Sequence, residues 1–125
     1  MVMTKLIRIL VANHPRLMRE AVLAAFANQP DVEIVGEVSD EAEIHDRMNE
    51  TLPDLLIVTL DDSGKRPAIC DAVLHAHPRV RIIAVSSAQN RSICYWAVLQ
   101  IQSKNIEPSE ESMLIAARSM ATATG

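Results

Sequence analysis

The side chains able to do chemistry are few and scattered. His14 stands beside Pro15 with no nucleophile near it in the sequence, so it reads as part of a helix opening and not as a base. His45, His75 and His77 lack metal-ligand clustering. Asp61-Asp62 is an adjacent acidic pair, readable as cation ligands or as solvated loop acids. Thr59 and Ser86 place hydroxyls at the ends of two apolar runs. With Lys104 they make one candidate phosphate-accepting or enzymatic set; the plainer reading is a β-branched residue and a small residue where strands end. Cys70 and Cys94 form neither a C-x-x-C pair nor a zinc-type Cys/His spacing, which suits two thiols in a reducing compartment. Glycine occurs only at 36, 64 and 125, so there is no G-x-G-x-x-G and no P-loop.

The elements that must position these residues follow from hydrophobic patterning. Four apolar runs are read as strands: Leu6-Ile7-Arg8-Ile9-Leu10-Val11-Ala12, Val32-Glu33-Ile34-Val35-Gly36-Glu37-Val38, Asp54-Leu55-Leu56-Ile57-Val58-Thr59-Leu60 and Arg81-Ile82-Ile83-Ala84-Val85. The second alternates and suits a sheet edge; the third and fourth are nearly continuous, as strands covered on both faces are. A fifth strand is expected near 99–103. Between the runs lie helical patterns. Pro15 opens one carrying Leu17, Met18, Ala21, Val22, Ala25 and Phe26; Asp40 with Glu43 suggests a capping box for the next; Pro67 and Pro108 open two more. Strand and helix in alternation predict a doubly wound α/β domain with a five-stranded parallel sheet, residues 1–121, and a frayed tail at 122–125. Working sites in such sheets lie at the carboxyl ends of the strands, which directs attention to Ala12, Asn13, Thr59 and Ser86.

Composition bounds the function. A chain of 125 residues with 49% apolar and 22% charged side chains is one ordinary globular domain. The net charge of −4, with Lys and Arg scattered, argues against direct nucleic-acid binding. No apolar run reaches the ~18 residues of a membrane span, and no signal peptide is recognisable, so a cytoplasmic protein without membrane contact is expected. The segment Ile93-Cys94-Tyr95-Trp96-Ala97-Val98-Leu99-Gln100-Ile101 is apolar at all but one position and holds two of the three aromatics. Read as a helix it is apolar all round and needs cover on both sides. The expectation is a protein contact, most simply a homodimer, built on Tyr95, Trp96, Val98, Leu99 and Met113; the alternative is a segment that is not fully helical and repacks within its own chain around the shortened loop.

The run Ile7-Arg8-Ile9-Leu10-Val11-Ala12-Asn13-His14-Pro15-Arg16-Leu17-Met18-Arg19-Glu20 resembles the start of response-regulator receiver domains of the NarL/FixJ type. Val35-Gly36-Glu37-Val38-Ser39-Asp40, Pro53-Asp54-Leu55-Leu56-Ile57-Val58 and His77-Pro78 before Arg81-Ile82-Ile83 are similar to later segments of that family, in order. The resemblance spans about 5–121. It implies the CheY-like strand order 2-1-3-4-5, with the fourth helix and fifth strand shortened or irregular here. It also implies a site that this sequence lacks. The family's acidic pair falls on Ala12 and Asn13, and its phospho-acceptor aspartate on Thr59, with Gly64 anchoring the following loop. Its hydroxyl falls on Ser86, its lysine on Lys104, and its aromatic switch position on Ile101.

Mg²⁺ is held by carboxylate and phosphate oxygens, and aspartyl phosphorylation needs a carboxylate nucleophile. The expectation is therefore a pseudo-receiver: no enzyme, no cofactor, no metal, acting through phosphorylation-independent contacts with a protein partner. The alternatives left open are the regulatory domain of a longer DNA-binding regulator and a phosphate acceptor using Thr59, Ser86 and Lys104.

Overall fold

The computed structural model describes residues 6–86 and 91–122. The expected Ser86-Ser87 strand exit lies partly outside them, as does most of the tail. Five strands, β1 (Ile7–Val11), β2 (Val32–Glu37), β3 (Leu55–Thr59), β4 (Arg81–Ser86) and β5 (Arg91–Trp96), form one sheet in the order β2-β1-β3-β4-β5. Four α-helices accompany them: α1 (Arg16–Phe26), α2 (Ile44–Thr51), α3 (Ala68–Ala76) and α4 (Glu110–Thr122). Among the described residues no helix is long and apolar enough to cross a membrane.

β1 to β4 are parallel, as their apolar runs predict. β5 is not where the periodicity puts it, and it runs antiparallel to β4, with Ile83 opposite Cys94 and Arg81 opposite Trp96. The reason is chain length. Four residues separate Ser86 from Arg91, whereas a parallel crossover needs a dozen or more. The segment 93–101, open in sequence to a helical or a partly irregular reading, is thus strand to Trp96, then irregular from Ala97. Residues 97–109 form no regular element before α4, where Ser109 Oγ accepts from Ser112 N at 3.1 Å and caps the helix.

The helices take their predicted places with small shifts. Asp40 accepts from Ala42 N at 3.0 Å and opens a 3-10 turn, Glu41–Glu43, that leads into α2. No reciprocal bond from Glu43 completes a capping box. α2 ends at Leu52, whose φ of 45° is left-handed, immediately before Pro53.

The core has two sides. On one, Leu10, Leu56, Val58, Ile82 and Ala84 pack with Ile44 and Met48 of α2 and Cys70 and Val73 of α3. On the other, Ile9, Val11 and Ile57 are covered by Val22, Leu23 and Phe26 of α1 alone. α4 is exposed along nearly all its described length, with Met113, Leu114 and Ile115 in water.

Candidate functional site

The carboxyl ends of β1, β3 and β4 bring together Ala12, Asn13, Thr59 and Ser86, as the strand patterning predicts. Ala12 and Asn13 follow β1 directly, with Ala12 N donating to Ile57 O at 2.7 Å. Ala12, Asn13 and Ser86 are buried and Thr59 is half-buried.

Thr59 is engaged from both sides. Its Oγ1 accepts from His14 N at 2.8 Å and donates to His14 O at 3.2 Å. The hydroxyl therefore clamps the β1–α1 loop to the end of β3. This bridge stands between two hollows of about 280 and 270 Å³; His14, Thr59 and Asp61 line both. Ala12, Glu41 and Ile44 border the first, and Met18, Asp62 and Ser86 the second. Lys104 borders neither. It lies in the exposed segment before α4 and lines a separate hollow with Ile106, Ile115 and Ala116. The set Thr59, Ser86 and Lys104 is therefore not assembled.

Asp61, which lines both hollows, serves the loop. Asp61 Oδ1 accepts from the hydroxyl and the amide of Ser63, and these bonds, the hydroxyl's first, hold its carboxyl below the usual carboxylate range. Gly64 then takes φ 71°, a left-handed conformation that favours glycine in this turn.

Asn13 is 1% exposed, and its Oδ1 is buried without a hydrogen-bond partner. At the positions where the resemblance puts the acids stand a neutral amide, an alanine methyl and a threonine hydroxyl bonded to backbone, whereas Mg²⁺ calls for about six oxygen ligands with carboxylate among them. The residues present do not fit the metal that the family resemblance implies. Among the described residues no three His, Cys, Asp or Glu side chains converge as a metal centre would need.

Sequence reading missed two supports of this end of the sheet. Arg19, with its side chain mostly buried, donates from Nε to Glu37 Oε1 at 3.3 Å and from Nη1 to Asn13 O at 3.4 Å, tying α1 to the ends of β1 and β2. The His14 backbone is the second. A backbone partner leaves no residue-type signal, and the Arg19–Glu37 pair is far apart in sequence.

No family model and no curated protein matches the chain. Solved structures do match in shape. The RcsB response regulator of Salmonella typhimurium, in a structure concerned with its DNA interaction, aligns with TM-score 0.59 at 15% identity over 66% of this chain and 43% of that one. A structure of two RcsB dimers bound to two parallel DNAs gives 0.58 at 16% over the same shares. The signal receiver domain of the response regulator NarL from Mycobacterium tuberculosis gives 0.57 at 19%, over 95% of this chain and 98% of that one. The fold is that of a response-regulator receiver domain. Against the RcsB chains, the matched receiver-fold region is less than half their length.

Proposed function

We propose that this receiver-fold chain is a non-enzymatic, cytoplasmic signalling module that works through protein–protein contacts without aspartyl phosphorylation. The observation that carries this reading is the Thr59 clamp. Where the family resemblance puts the phospho-acceptor, a hydroxyl spends its donor and acceptor capacity on the His14 backbone. Ala12 supplies nothing to a metal that would neutralise charge in transfer. The test is incubation with a small acyl phosphate and Mg²⁺, followed by intact mass. The expected result is unchanged mass; a gain of one phosphoryl group overturns the reading.

A second reading is favoured by the partial coverage of the RcsB chains. In it, the module is the regulatory part of a longer DNA-binding regulator, and any contact with DNA is made by the rest of that protein. The length of the open reading frame tests this. A frame that continues into a basic helical segment supports it, and one that stops near residue 125 contradicts it.

A further inference from the structure

The two faces of the sheet are covered unequally. Five strands at ~4.8 Å spacing make a sheet about 20 Å wide, and a helix covers about 10 Å of it, so each face calls for two helices. The face bearing Leu10, Leu56 and Ile82 has α2 and α3. The opposite face has α1 alone, packed over Ile9, Val11 and Ile57. The strip left over β4 and β5 carries Ile83 and Val85, which are half-buried, with Cys94 and Trp96 beside them. Cys94 lies opposite Ile83 and Trp96 opposite Arg81, so both project to this face; the Arg81 guanidinium sits 5.8 Å from the centre of the Trp96 ring. Trp96 is 55% exposed. The strip is one helix wide and, at six residues of strand, about 20 Å long.

The same chain carries a helix with no sheet. α4 has 13 residues, also about 20 Å, and exposes Met113, Leu114 and Ile115. The residues joining it to β5, 97–109, are apolar where a loop is usually polar: Val98, Leu99 (89% exposed), Ile101 and Ile106 all face water. Of the twelve large hydrophobics exposed among the described residues, eight lie from Trp96 to Ile115.

We propose that residues 97–122 are an exchanged arm: α4 of one copy packs on the uncovered β4–β5 face of a second copy, and the second returns its own. Folding α4 back onto its own sheet would cover the strip but would need a link of only a few residues. It would also leave Val98, Leu99 and Ile101 in water. Crossing to a second copy uses the full link, and the two links, antiparallel about the two-fold, bury their aliphatic side chains against each other. Eight large apolar side chains removed from water come to roughly 800 Å² per copy, the size of a standard stable interface. Exchange assigns Trp96 to the interface core and leaves the Thr59 end of the sheet free. The proposal does not depend on how Thr59 behaves toward a phosphodonor.

Cys94 makes a direct test, because it lies on the receiving strip while Cys70 is buried. Leu114→Cys places a second thiol on α4. Under mild oxidation this variant is expected to give a covalent dimer whose digest contains a disulfide between Cys94 of one copy and the introduced thiol of the other, and adding Cys94→Ser should abolish that linkage. Light scattering on the parent should show a dimer, and Trp96→Glu, checked for folding by circular dichroism, should weaken it by about tenfold or more. The same disulfide formed within one chain overturns the proposal in favour of closure in cis. A parent that is monomeric at ~100 μM overturns it outright. If Trp96→Glu fails to fold, the crosslink still decides.

Discussion

At the scale of single residues, Thr59 holds two hydrogen bonds to one backbone unit, each worth about 1 kcal/mol net. Thr59→Val should therefore lower unfolding stability by about 1–2 kcal/mol in urea, and Thr59→Ser by much less. Thr59→Asp should behave like the valine variant or worse. A carboxylate can accept from His14 N but cannot donate to His14 O, and it gains no metal because Ala12 is still its neighbour. Its mass should not rise with phosphodonor. Cys70 gives a pH-dependent case. Burial pushes its thiol up to about 11 from an ordinary value of 9.0. The unfolded chain thus ionises first, and the contribution from the neutral buried thiol is complete below pH 9 and lost as pH climbs from 9 to about 11. The parent should lose stability across that window more steeply than Cys70→Ala, by about 2 kcal/mol over the interval, read from denaturant melts at each pH. Below pH 9 a thiol reagent should label Cys94 quickly in the dilute, monomeric protein, and Cys70 only on unfolding.

Among the elements, β5 is the one whose placement changes what its residues do. Pairing with β4 turns Ile93 and Tyr95 inward against the main core and Cys94 and Trp96 outward. Tyr95, which the apolar run groups with the contact residues, therefore packs partly buried within its own chain. Tyr95→Ala should cost about 2–3 kcal/mol in the dilute protein and Trp96→Ala less than about 1, since only an exposed cation–π contact with Arg81 is lost. Equal costs would mean the strand register is wrong. The four parallel strands were legible because near-continuous runs such as Leu55-Leu56-Ile57-Val58 belong to strands buried on both faces. β5 was not legible: its alternation is masked, because a strand with one face open still carries Cys94 and Trp96 there. Only the four-residue spacing to β4 betrayed its direction. At the site, the strand ends located Ala12, Asn13, Thr59 and Ser86, and the loss of carboxylates was plain from residue type. The Thr59–His14 clamp was invisible because its partner is backbone, and Lys104 was misplaced because the family resemblance sets it after a fifth strand, where this chain is irregular from 97 to 109.

For the molecule as a whole, the Thr59–His14 bonds make a joint at the carboxyl end of the sheet, with two hollows beside it. Restoring the acids tests the joint. The triple change Ala12→Asp, Asn13→Asp, Thr59→Asp packs three carboxylates into largely buried positions, where pairs ~4 Å apart repel by up to about 4 kcal/mol at an effective dielectric near 20. Without metal it should melt well below the parent, and Mg²⁺ should recover part of the loss; an unchanged melting temperature would contradict this picture of the pocket. The most direct measurement on the unmodified protein is a two-dimensional amide NMR titration with Mg²⁺ and beryllofluoride, a mimic of the aspartyl phosphoryl group. The amides of Ala12, Asn13, His14, Thr59, Leu60 and Ser86 are expected to stay where they are. Saturable shifts at those amides, propagating along β4, would mean that the pocket still takes a phosphoryl group and that the Thr59 clamp opens to admit it.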